Sequence, residues 1–143
     1  MTHIDFYRFV PSKLAFACRL ARKAYASQAK TGQKLVILCP EQQLDEVDRE
    51  LWRFSALDFI PHSKVGTPQA ALSAVLLTTD AAASTDTDVL LNLTDTVPDH
   101  FARYQRLLEI VPQDEVGKEQ ARERYRFYRE RGYQLATHDV EQA

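Results

Sequence analysis

The chain has 143 residues, a formal net charge of −2, 45% hydrophobic and 27% charged residues, a composition that suits one folded domain with a real core and excludes a disordered segment. The slightly acidic balance, with an isoelectric point near 6.1, argues against a bulk electrostatic grip on nucleic acid and leaves only a local basic patch for it. No stretch approaches the run of about 18 apolar residues that spans a bilayer, and MTHIDFYRFV lacks the apolar core of a secretory signal, so the expected location is the cytoplasm.

Residues 4–10 (IDFYRFV) alternate apolar and polar, with aromatic and β-branched types, and predict a strand. Pro11 ends it and Ser12 is placed to cap a helix over 13–30, with Leu14, Ala17, Cys18, Ala21 and Tyr25 as its apolar stripe. Gly32 suits the left-handed turn that closes that helix. LVILC at 35–39 is the continuous apolar run of a strand covered on both faces. Pro40 opens an acidic helix over 41–54, whose early carboxylates favour the positive end of the helix dipole. Residues 55–73 lack periodicity and carry Pro61, Gly66 and Pro68 as turn punctuation. Further strands are predicted at 74–79, 89–93 and 107–111, with an acidic loop at 80–88 and a short helix over 100–105. The last helix runs over 114–131 and Gly132 stops it. Residues 134–143 read as a polar, partly mobile tail of a single domain spanning 1–143.

Strands alternating with helices predict one α/β, Rossmann-like, doubly wound domain, with a mostly parallel five-stranded sheet and helices on both faces. Such sheets often hold nucleotides, yet the turn after the first strand is Val10-Pro11-Ser12, and the four glycines fall in no phosphate-binding spacing. The four histidines are scattered and form no ligand motif, so neither a metal nor a cofactor is expected. Cys18 and Cys39 read as reduced, buried small hydrophobes. No nucleophile motif is present. Glu109, inside LLEIV, is the oddest carboxylate and reads as sitting at a strand edge or paired.

Two features stand out instead. The last helix carries Lys118, Arg122, Arg124, Arg126, Arg129 and Arg131 on a slightly acidic protein, with Lys118, Arg122, Tyr125 and Arg129 on one face. Basic heads around an aromatic patch suit an acidic peptide with an apolar end, or a phosphate backbone with stacked bases. LWRFSALDFIPH, 51–62, crowds Trp52, Phe54, Leu57, Phe59 and Ile60 into a helix end and loop, which calls for cover by the core or by a partner protein.

These stretches, with FYRFV, KLVILC, VLLNL, LEIVP and ARERYRFYRERGYQL, resemble the chi subunit of bacterial DNA polymerase III over nearly the whole chain. The resemblance implies a non-catalytic adaptor. Such subunits pair with the psi subunit, which tethers them to the clamp loader, and bind the acidic, Phe-terminated C-terminal tail of single-stranded DNA-binding protein. Carried onto this sequence, the tail site comprises Val111, Lys118, Arg122, Tyr125, Gly132 and Tyr133, and the psi-facing surface Trp52, Phe59, Ile60, Pro61 and His62. The resemblance also implies a repair helicase as a partner in some members, and contact with DNA that is mainly indirect. A nucleotide-binding or enzymatic Rossmann-like domain, and a direct single-stranded nucleic-acid binder using the basic helix, are the alternative readings.

Overall fold

The computed structural model describes residues 1–53, 62–67 and 73–140. Seven strands form a single sheet: β1 (His3–Val10), β2 (Leu35–Leu38), β3 (His62–Lys64), β4 (Val75–Thr78), β5 (Val89–Asn92), β6 (Arg106–Pro112) and β7 (Gln134–Asp139), in the order β3-β4-β2-β5-β6-β1-β7. Every strand pairing among the described residues is parallel. The sheet thus has seven strands where the sequence predicts five. The two unforeseen strands are its edges. β3 (HSK) and β7 (QLATHD) lack the apolar runs that mark the interior strands, because an edge is held by its one ladder and not by burial on both faces. β7 occupies most of the tail expected to be mobile, pairing in register with β1 from His3↔Gln134 to Arg8↔Asp139.

The interior strands behave as the sequence predicts. LVIL of β2 and VLLT of β4 are buried at every position. Helices α1 (Lys13–Thr31) and α2 (Leu44–Arg53, preceded by a 3₁₀ turn over Glu41–Gln43) cover one face. There Phe16, Ala17, Ala21, Val47 and Leu51 meet Leu35, Ile37, Leu77 and Ile110. Helix α3 (Glu115–Glu130) covers the other face, where Tyr128 packs with Ile4, Phe6, Val36, Leu90 and Leu107. Ser12 Oγ accepts from Ala15 N at 3.2 Å, and Gly32, at φ 68°, closes α1 with its N–H on Gln28 O at 2.7 Å. Tyr25, in the apolar stripe expected of α1, is 45% exposed, and Phe16 is buried. In place of a helix over 100–105 there is a single 3₁₀ turn, Phe101–Arg103.

Both cysteines are buried and free. Burial pushes each thiol up to about 11, with Glu50 adding to the effect at Cys18, so both stay protonated and inert. Among the described residues, no helix is long and apolar enough to cross a membrane.

Candidate functional site: a basic groove between α3 and β1

Asp114 starts α3, its carboxylate accepting from Gly117 N at 2.8 Å. Gly117 is required there. A Cβ at this position would run into the Pro112 ring and lie 2.8 Å from Asp114 Oδ1. The absence of a side chain lets α3 sit directly against the end of β6. Gly117→Ala is therefore expected to cost about 1–2 kcal/mol through overpacking, read as a lower denaturant midpoint at unchanged slope.

The close approach leaves a groove of about 730 Å³ between the first half of α3, the end of β6 and the second half of β1, within the size range of ligand-binding clefts. Of the six residues that the resemblance assigns to a tail site, Val111, Lys118, Arg122 and Tyr125 line it. Gly132 and Tyr133 do not. Gly132, at φ 81°, follows the far end of α3, about 15 Å along the helix axis from Arg122 at the α-helical rise. Tyr133 packs on Phe101, with ring centroids 5.2 Å apart.

The basic face is narrower than the sequence suggests. Arg124 turns inward and is only 3% exposed. Arg131 lies over the Phe127 ring at 3.4 Å. Arg126 and Arg129 are exposed but do not line the groove. Lys118 and Arg122 remain, each in a loose pair one helical turn back: Lys118 Nζ to Glu115 at 3.8 Å and Arg122 Nη1 to Glu119 at 3.3 Å. Pairs this exposed hold their partners weakly and exchange them readily for an incoming carboxylate.

Sequence reasoning missed the β1 side of the groove. The strand does not alternate through to Val10. Its register to β6 runs Tyr7↔Ile110 and then Val10↔Pro112, so three residues of β1 face two of β6. This is a bulge, which re-aims the side chains around it. Val10 joins the same core cluster as Tyr7, while the consecutive residues Arg8 and Phe9 both reach the groove, with Phe6 beneath. Arg8 pairs there with Asp139 of β7, with Nη2 at 2.7 Å and Nε at 2.8 Å from Oδ1, both side chains standing about half exposed. Tyr125 rests edge-on against Phe6, with centroids 5.2 Å apart. The groove therefore presents three cations, Arg8, Lys118 and Arg122, around an apolar floor, and none of the described residues lining it is a carboxylate.

A model of the family "DNA polymerase III chi subunit, HolC" matches residues 1–136. The chain belongs to the DNA polymerase III chi subunit family. Its relatives include the DNA polymerase III subunit chi of Pseudomonas aeruginosa, 35% identical over 144 residues and 96% of each chain. The subunits chi of Haemophilus influenzae, at 32% over 87% of this chain and 85% of the relative, and of Escherichia coli, at 29% over 78% of each, are also similar.

Of the residues that the resemblance assigns to a psi-facing surface, the two described ones, Trp52 and His62, lie at the opposite edge of the sheet. Trp52, near the end of α2, is 48% exposed, and its ring centroid lies 4.4 Å from that of His62 in β3. His62 is buried, with Nε2 2.9 Å from Asp48 of α2. Phe59, Ile60 and Pro61 lie outside the described residues. Edge strand β3 and the β1–β7 side are separated by most of the sheet, on the order of 25 Å at the usual strand spacing.

Proposed function

We propose that this chi-family chain is a non-catalytic, cytoplasmic adaptor of the replicative polymerase. It holds the acidic C-terminal tail of single-stranded DNA-binding protein in the α3–β1 groove, and pairs with a psi subunit, and through it the clamp loader, along the Trp52–His62 edge. Its parallel sheet, with helices on both faces, supports a Rossmann-like scaffold used for protein contacts. The observation that carries the reading is the charge arrangement of the groove: three cations, an apolar floor of Phe6, Val111 and Tyr125, and no carboxylate among its described lining residues. An acidic peptide with an apolar terminus complements both parts. Arg122 is the residue suited to take the terminal carboxylate with two parallel hydrogen bonds. The exposed Trp52, backed by His62, supports an aromatic anchor for the second partner. A weak tail contact becomes effective because one coated strand displays many tails and the adaptor is tethered to the polymerase.

The test is calorimetric titration with an acidic peptide ending in Pro-Phe. Binding is expected to weaken as salt rises. Arg122→Ala is expected to lose affinity by at least about tenfold, the scale of a charge-assisted contact, with an unchanged melting temperature. Wild-type affinity in the variant would refute the assignment.

A further inference from the structure

Phe9 has the backbone of a glycine and the side chain of an anchor. Its φ is 62°, a region where a bulky residue is an outlier and where Cβ crowds the neighbouring carbonyl oxygen. Its side chain does not offset that crowding by burial, since the residue is 53% exposed. The fold needs the bulge, which brings Val10 onto the face of Tyr7, but glycine or asparagine would make the same turn at lower cost. A phenyl ring thus stands at a position whose backbone does not call for one. It lies at the groove beside Arg8, whose guanidinium sits 5.2 Å from its centroid and pairs with Asp139. Strain held at the rim of a binding cleft is a mark of function.

We propose that Phe9 is a specificity-determining residue of this groove: an aromatic jaw on β1 that, with Tyr125 across the cleft on α3, selects ligands whose acidic chain ends in an aromatic ring. The proposal rests on the reading of the groove as a tail site. The bulge brings a strand that would otherwise turn its residues alternately away to aim two neighbours at one cleft. Arg8 faces the ligand's charge and Phe9 its ring, in edge-on or offset contact.

The experiment compares two acidic peptides, identical except for a terminal Phe or Ala, against the parent chain, Phe9→Ala, Phe9→Gly and Phe9→Trp. The parent is expected to prefer the Phe-ended peptide. Phe9→Ala and Phe9→Gly are expected to lose about tenfold in affinity for it while holding the Ala-ended peptide as the parent does, so that the preference collapses. Phe9→Trp keeps the preference. Phe9→Gly is expected to melt at or above the parent's temperature, because relief of strain offsets the added freedom of the unfolded chain. An undiminished preference in Phe9→Ala overturns the proposal and leaves the tail site standing. Equal losses for both peptides also overturn it, since Phe9 would then support the groove without reading the ring. Failure of the parent to bind either peptide overturns the tail reading, and this proposal with it.

Discussion

Arg124→Met is expected to destabilise the protein by about 3–5 kcal/mol, the usual cost of removing one partner from a buried ion pair. Glu109, in the interior strand β6, is 0% exposed and Arg124 is 3% exposed. Arg124 Nε donates to Glu109 Oε1 at 3.1 Å and Tyr128 Oη to Oε2 at 2.5 Å, and Asn92 Nδ2 lies within 3.2 Å of both oxygens. The guanidinium also donates to Asp95 O at 2.9 Å. This network joins α3 to β5 and β6 behind the groove. Burial pushes the Glu109 carboxyl above its ordinary value, although Arg124, Tyr128 and Asn92 pull it down. Without Arg124 the upward push grows. A carboxyl whose folded pKa lies above its unfolded one contributes stability that is complete below the unfolded value and is lost as pH rises through the folded value. The deficit of Arg124→Met should therefore be largest near neutral pH and shrink on acidification toward the ordinary carboxylate range of about 4. Urea unfolding at two pH values reads this. The double variant Arg124→Met, Glu109→Gln removes the charge but keeps an acceptor for Tyr128, and should recover most of the loss. A deficit independent of pH, or no recovery in the double variant, would contradict the account.

The same pair shows where sequence reading stops short. The sequence marks Glu109 as edge-bound or paired; it is paired, in a strand that is not an edge. Arg124 reads there as one of six cations of a basic helix, although a signal for its burial exists. Gly117, Ala121, Arg124 and Tyr128 fall at spacings of four, three and four and form the buried stripe of α3. A lone base on one buried stripe and a lone acid in one buried strand call for each other. The interior strands were legible because apolar runs covered on both faces leave a strong pattern, and the groove residues of α3 because helical spacing fixes which share a face. The edge strands were not, since β7 gains little by burying QLATHD. The bulge was invisible for a different reason. A phenylalanine at positive φ breaks the rule by which turns are recognised, so IDFYRFV reads as unbroken alternation, and Arg8 and Phe9 appear on opposite faces when both serve one cleft.

The polar sequence of β7 raises the question of what holds it, and Asp5 is much of the answer. Asp5 lies in β1 between β6 and β7 and is 3% exposed. Its Oδ1 lies 2.8 Å from His138 Nε2 of β7 and 3.5 Å from His3 Nε2, and its Oδ2 accepts from Arg106 Nη2 of β6 at 2.9 Å. One carboxylate thus bridges three strands, and His138 also stacks on Tyr7 with centroids 5.1 Å apart. Burial alone would push Asp5 up, but hydrogen bonds from His138 and Arg106, with the charges of Arg106 and His3, hold it below the ordinary carboxylate value. Asp5→Ala is expected to cost about 2–3 kcal/mol, the scale of two hydrogen bonds to a charged group reduced by the exposure of their donors. The sign with pH is opposite to that of Glu109. A carboxyl with a lowered folded pKa contributes stability that is present above its unfolded value, about 4, and is lost as pH falls through the folded value. Parent and Asp5→Ala should therefore differ most at neutral pH and converge in strong acid. Hydrogen exchange gives the local reading. The amides of β7 should lose protection in Asp5→Ala before those of β2 or β5, because β7 has one ladder and little apolar burial to fall back on. Protection lost evenly across the sheet would mean that Asp5 supports the core as a whole and does not clamp its edge. If β7 does loosen, the Arg8–Asp139 pair loosens with it, and tail affinity should fall in the same variant although no groove-lining residue has been changed.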